Sequence, residues 1–385
     1  MFRKIIRNQP KPVISAFVLS RLLIILSALL GTVILGTRTP KPNETLWNIE
    51  VPFFNLFARW DSAFYIEIAK NGYYDVSLWA FRPLFPFILM ILSLPFASFL
   101  YFDISAAILG FLANNLFFLA ALILIYKVTT AIYSESIASK TVFFIAFCPM
   151  SIFFSAIYTE SLYLLLSSLC IYTLEKKKHF KSGLSGFLAG LTRPEGFLLS
   201  FPIFIRSFQN GNKKYEVKER LSSIVAASSF IVILAIAQLL AGDYKVVFST
   251  ELGWDNLTLV DLISDTSRIK YVLMIPEFLS FYIISIPTTI IGTIAVFSFF
   301  FRRNVPSLEK RQTLPYYLYS AIIVIINFAV GDIRNPRLLS TLIPLYWTLS
   351  EWDRKKPKIG KTLLILFIIL CICGIILFTN WYHFH

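Results

Sequence analysis

The sequence predicts an all-α, multi-pass membrane protein. Of its 385 residues, 57% are hydrophobic, and the mean hydropathy is +0.70. Apolar runs of roughly 18 or more residues, enough to cross a bilayer core, recur from end to end. The formal charge of +14 is carried largely by short basic loops between those runs. That is the positive-inside pattern, not the stripe of a nucleic-acid binder. Basic residues at the inner face also meet anionic headgroups of the membrane lipids. No polar stretch is long enough for a separate water-soluble domain, so residues 1–385 read as one integral membrane domain.

Arg3, Lys4, Arg7 and Lys11 precede an apolar run from Val13 to Leu35. The run is too long for a signal-peptide core and reads as a retained first span with a cytoplasmic N-terminus. A first outer loop, residues 36–103, follows. Its second half, Pro83 to Tyr101, is apolar but broken by Pro83, Pro86 and Pro95, and reads as a juxtamembrane or re-entrant piece. Spans are expected at Ile104–Tyr126, Thr141–Ala156 and Leu162–Leu174. The last of these ends in Lys176-Lys177-Lys178-His179-Phe180-Lys181, the strongest cytoplasmic marker in the chain.

Residues 183–205 have basic flanks on both sides and Arg193-Pro194-Glu195-Gly196 in the middle. They read as a broken-helix hairpin, since non-helical backbone at membrane depth is tolerated where it lines a cavity. Ser222–Ala241 leads out to a second outer loop, 242–276. Glu277–Phe301, Leu314–Val330, Arg337–Ser350 and Thr362–Thr379 complete about eleven segments, short broken helices included. The sequons Asn43-Glu44-Thr45 and Asn256-Leu257-Thr258 both fall on the outer side of this map.

Four polar constellations converge on that outer side. The first is Asp61, within Arg59-Trp60-Asp61-Ser62 and Tyr65. Its segment reads as an interfacial helix from Arg59 to Lys70, with Trp60, Phe64 and Ile68 toward the headgroups and Asp61 and Tyr65 on another stripe. Asp61 is either a catalytic carboxylate or the N-cap of that helix. The second is Tyr158 with Glu160, which also suits the start of a helix through the dipole. The third is Arg193 with Glu195, a functional pair or an intramembrane ion pair. The fourth is Asp332, Arg334, Asn335 and Arg337, where forked guanidinium donors suit a phosphate, or else snorkel to the headgroups. A carboxylate, an arginine and grooves between broken helices can hold a lipid-linked phosphate and activate a hydroxyl against it.

The cysteines at 148, 170, 371 and 373 all lie in apolar runs and read as small buried hydrophobes. With three histidines and no acidic neighbour of Asp61 in D-x-D spacing, no metal or other cofactor is expected, although Glu160 could complete a divalent site.

Arg59-Trp60-Asp61-Ser62, Ile68-Ala69, Gly72-Tyr73 and Ala80-Phe81-Arg82-Pro83-Leu84-Phe85-Pro86 resemble the first outer loop of GPI mannosyltransferases of the PIG-V type. Residues Pro149 to Ser161 and Gly186 to Gly196 resemble that family's next two motifs, in order. The resemblance covers about the first half of the chain. Beyond it, Trp254 and Pro336-Arg337-Leu338 followed by Pro344 match loosely. It implies a GT-C glycosyltransferase fold, a polyprenyl-phosphate-mannose donor, and an acceptor hydroxyl on a lipid or glycan outside the cytoplasm. It also implies Asp61 as the base, with Arg59, Trp60, Tyr65, Arg82, Tyr158, Glu160, Arg193, Glu195 and Arg337 as substrate-binding candidates. Arg82 stands where the family has an aromatic, and Pro194-Glu195 where it often has smaller polar residues, so the acceptor need not be a GPI intermediate. A secondary transporter or flippase is the rival from another class, but no second copy of the Asp61 loop or Arg193 hairpin is found. A membrane scaffold leaves the outer charges without a role.

Overall fold

A computed structural model of the chain describes residues 10–35, 51–209, 213–248, 283–302, 307–329 and 336–382. Both sequons, the basic residues Arg3, Lys4 and Arg7, the Asp332-Arg334-Asn335 group and Trp254 lie outside the described residues. Among the described residues every regular element is helical.

In chain order the α-helices are α1 Lys11–Leu35, α2 Pro52–Asn55, α3 Ser62–Asn71, α4 Leu84–Ser93, α5 Phe102–Ile132, α6 Glu135–Ala146, α7 Glu160–Glu175 and α8 His179–Gly190. They continue with α9 Ser200–Ser207, α10 Lys213–Ala241, α11 Ile286–Ser298, α12 Ser307–Ala329, α13 Pro336–Ser340, α14 Ile343–Lys355 and α15 Pro357–Thr379. Among the described residues four are long and apolar enough to cross a membrane: α1, α5, the Glu216–Ala241 part of α10, and α15. The chain is therefore a multi-pass membrane protein.

Several expected spans are shorter or broken, and the causes are local. The run expected at Thr141–Ala156 is helical only to Ala146, in α6, which Ser134 caps by accepting from the Ile137 amide. Pro149 cannot extend a helix, and Ser151 Oγ donates back to the Ala146 carbonyl at 2.7 Å. A 3-10 turn, Ser151–Phe154, takes over. The span expected at Arg337–Ser350 is split into α13 and α14, with Pro344 in the first turn of α14. At 16 residues, α7 is about 24 Å long, short of a ~30 Å hydrocarbon core.

The chain divides into two compact units. The first holds Met1–Arg38, Leu119–Ile152 and Leu257–His385; the second holds Thr39–Phe118 and Phe153–Asn256. In the first unit α1 packs on α6 and α15, and α14 packs on α6, α11, α12 and α15. Trp347 in α14 donates its indole N–H to Thr129 Oγ1 at 2.7 Å. Arg21, buried halfway along α1, donates to Ser151 Oγ at 2.7 Å, tying α1 to the turn that ends α6.

The second unit is built on the broken hairpin. Residues 183–205 are helical to Gly190, turn at Leu191–Arg193, form a 3-10 stretch over Pro194–Leu199 and resume as α9. Two glycines make the geometry possible. A Cβ on Gly183 would lie 2.6 Å from the Ser222 carbonyl oxygen of α10, and one on Gly196 would lie 2.2 Å from the Ala189 backbone. Backbone bonds tie the loops together: the Leu84 amide donates to Leu191 O and the Ile157 amide to Phe57 O, each at 3.0 Å.

The Asp61 helix, α3, packs against α4. Ile68 is buried and Phe64 stacks on Phe81 with ring centroids 4.9 Å apart. The apolar stripe expected to lie in the headgroups is thus partly covered by the protein's own Phe81 segment, because that segment is apolar enough to fold back over it.

Candidate active site

Asp61 stands immediately before α3, half-buried, with φ −55° and ψ −19°. A capping aspartate needs extended backbone for its side chain to reach the first-turn amides. Asp61 is already helical, and its carboxylate makes no capping hydrogen bond. The cap alternative fails on geometry. Its main chain instead accepts the first helical bond, from the Tyr65 amide at 3.2 Å.

The residue before it is unusual. Trp60 has φ 54°, a left-handed conformation that stores roughly 1–3 kcal/mol in a bulky residue. Tyr158 spans this turn. Its hydroxyl accepts from the Asp61 amide at 3.1 Å and donates to the Arg59 carbonyl at 3.2 Å. Arg59 is buried, and burial pushes its guanidinium down to about 10, so it remains a cation at neutral pH.

A chain of contacts leads from this turn to the hairpin. Tyr65, one turn along α3, has its hydroxyl 3.4 Å from Thr159 Oγ1. Arg193 Nη1 is also 3.4 Å from Thr159 Oγ1, and it donates to Glu160 Oε1 at 2.8 Å. Arg193 Nε donates to Glu195 Oε1 at 2.5 Å. Glu160 is fully buried, and the guanidinium also lies over the Tyr163 ring. Two carboxylates therefore share one buried arginine, Arg193 pairing with both Glu160 and Glu195. Glu160 still opens α7, where the dipole favours an acid.

Arg82 is buried in the same unit, next to Phe81, whose ring meets Tyr65 edge-on at 5.0 Å. It lies within electrostatic reach of Tyr73, whose hydroxyl donates to the Phe81 carbonyl at 2.7 Å; burial pushes that phenol up, and Arg82 opposes the shift. Asp61, Arg59, Trp60, Tyr65, Arg82, Tyr158, Glu160, Arg193 and Glu195 thus all belong to the second unit. Arg337 belongs to the first. It sits half-buried in α13, a helix that contributes Leu339 and Ser340 to a small pocket shared with Cys148, Met150, Tyr346 and Phe367.

Sequence reasoning passed over Asn114. Its amide donates to the Tyr158 carbonyl at 2.9 Å and to the Ala156 carbonyl, holding the segment that carries Tyr158 and Glu160. A signal was present: Asn114-Asn115 is a polar pair inside an apolar run, and polar residues at such depth need partners. Arg21 carried the same kind of signal. Among the described residues no three His, Cys, Asp or Glu side chains gather to hold a metal ion, and Glu160 is occupied by Arg193.

Comparison with known proteins bears on this motif arrangement. A model of the family described as Mannosyltransferase (PIG-V) matches residues 12–245, more than half of the chain. The chain is 31% identical over 154 residues to GPI mannosyltransferase 2 of Schizosaccharomyces pombe, a match over 39% of this chain and 32% of that protein. It is 28% identical over 181 residues to GPI mannosyltransferase 2 of Drosophila pseudoobscura pseudoobscura, covering 43% of this chain and 39% of the relative. The chain thus spans about a third of the length of the curated relatives it matches. Among solved structures it is similar to the archaeal oligosaccharyltransferase AglB from Archaeoglobus fulgidus. That match has 12% identity and a TM-score of 0.47, over 95% of this chain and 56% of the other. The family match spans Asp61, Tyr158, Glu160 and Arg193, and with it the chain belongs to the PIG-V mannosyltransferase family.

Proposed function

We propose that the chain is an inverting mannosyltransferase. It moves mannose from a polyprenyl-phosphate-mannose donor to a hydroxyl of a lipid-linked or glycan acceptor, at the extracytoplasmic face of its membrane. Asp61 is the general base. It takes the acceptor hydroxyl's proton as that oxygen attacks the anomeric carbon, and the polyprenyl phosphate leaves with the electrons of the broken C–O bond. A sugar phosphate already has a competent leaving group, so one carboxylate suffices for a single displacement with inversion. The buried cations Arg59 and Arg82 are suited to offset the phosphate's charge. Arg193 is held by Glu160 and Glu195, and its role is to shape the site.

The observation that supports this reading best is the state of Asp61: a half-buried carboxylate at the head of a helix it does not cap. The test is to incubate purified protein with labelled polyprenyl-phosphate-mannose and extracted membrane lipid. Label should pass into a new lipid or glycan. Asp61→Asn keeps the shape and should bind donor normally while turnover falls by about 10²–10⁴. Transfer at near the parental rate in that variant would overturn the assignment. Donor crossing the bilayer with no new product would support transport instead.

A further inference from the structure

We infer that Tyr158 is a positioning residue for Asp61. Its hydroxyl clamps the main chain on both sides of Trp60 and so sets the direction in which the Asp61 carboxylate leaves the backbone. The clamp takes one atom: the phenolic oxygen accepts from the Asp61 amide at 3.1 Å and donates to the Arg59 carbonyl at 3.2 Å. Between these two groups Trp60 holds φ 54°, which a bulky L-residue keeps only when its surroundings hold it there.

The clamp is itself well anchored. Tyr158 is 1% exposed, and its ring meets Phe153 and Tyr65 with centroids 5.0 Å and 6.1 Å away. Its carbonyl is fixed by Asn114 Nδ2 at 2.9 Å. A tyrosine suits this task because its hydroxyl is donor and acceptor at once and brings no charge beside the carboxylate. The Asp61 amide and the Arg59 carbonyl that the hydroxyl bonds are both main chain. The role assigned to Tyr158 is therefore to aim the base, in place of the substrate contact that the motif alone implied.

This inference rests on Asp61 being the base, so its test includes a readout independent of catalysis. The experiment uses the full chain in detergent, comparing parent and Tyr158→Phe. Hydrogen exchange across residues 57–66 is read by mass spectrometry, and kcat and the KM for polyprenyl-phosphate-mannose are measured alongside. In Tyr158→Phe the Asp61 segment should exchange faster, while the α7 segment 165–175 is unchanged. Turnover should fall by about 10–100-fold, since a shift of about an ångström in a catalytic group costs up to 10²-fold. Donor KM should stay within about twofold, as removal of an effect confined to the transition state requires. An amino group in place of the hydroxyl, as p-aminophenylalanine at position 158, keeps the donor to the Arg59 carbonyl but only a weak acceptor for the Asp61 amide, and should restore both readouts in part. If Tyr158→Phe does not accumulate, a fluorotyrosine there, similar in size and a weaker acceptor, gives the same comparison.

Unchanged exchange around Asp61 would overturn the clamp. A raised donor KM with kcat preserved would return Tyr158 to the substrate. Full activity of Asp61→Asn alongside faster exchange in Tyr158→Phe would remove the base and the catalytic consequence, and that pattern separates the failure of the function from the failure of the clamp.

Discussion

Arg193→Leu removes the cation that two carboxylates share. Glu160 is fully buried, and the Arg193 and Glu195 side chains are each 10% exposed, so solvent screens this cluster little. Removing one member of a buried ion pair leaves an uncompensated charge and costs about 3–5 kcal/mol. That is a large part of the roughly 5–15 kcal/mol that stabilises an ordinary domain. The guanidinium also contacts Thr159 and the Tyr163 ring, so the α7 start and the hairpin turn should loosen together. The assay is thermal denaturation of detergent-solubilised protein, followed by fluorescence-detected size exclusion. Arg193→Leu should melt far below the parent. Glu195→Gln should melt closer to it, because the Arg193–Glu160 pair at 2.8 Å survives. A triple variant, Arg193→Leu with Glu160→Leu and Glu195→Gln, should recover most of the loss, since apolar replacement of a whole buried cluster is often near neutral. A loss below about 1 kcal/mol in Arg193→Leu, the scale of a surface pair, would refute the argument.

Gly196→Ala places a methyl group 2.2 Å from the Ala189 backbone. With main chain as the obstacle, overpacking should cost at least about 1–3 kcal/mol, read in the same melting assay; an unshifted melt would show that the turn has room. Transfer activity should be insensitive to chelator, and activity abolished by EDTA and restored by manganese or magnesium would refute that expectation. Asp75 accepts from the Ser77 hydroxyl at 2.6 Å and amide at 2.8 Å, and these bonds hold its carboxyl below the usual range. As pH falls the unfolded chain therefore protonates first, near an ordinary value of about 3.9. The Asp75 turn's contribution is present above that value and lost as pH drops through the folded one. In a carboxyl NMR titration, Ser77→Ala should move Asp75 back toward the ordinary range; an unmoved titration would mean that other contacts set it.

The helical, membrane-embedded class of this chain was legible in its sequence, because hydropathy and run length depend on composition alone. Asp61, Tyr158, Glu160 and Arg193 were legible as well, since charge or hydrogen-bonding groups inside apolar runs are costly enough to need a purpose. Element ends were less so. Pro149 follows the end of one helix and Pro344 opens another where hydropathy carries a single span straight through, because a hydropathy window does not see a missing N–H.

What the sequence left open was whether the Asp61 side chain caps α3, and only tertiary geometry shows that it does not. Asp61 precedes a helix, as a cap does, and no local pattern tells whether its carboxylate reaches the first-turn amides. The decision comes from backbone angles at Trp60 and Asp61 and from a hydroxyl 97 residues away in sequence. The pairing of Arg193 with Glu160, 33 residues apart, is of the same kind. Such contacts depend on how close two backbones can come, here through Gly183 and Gly196, and that distance is a property of the packed chain.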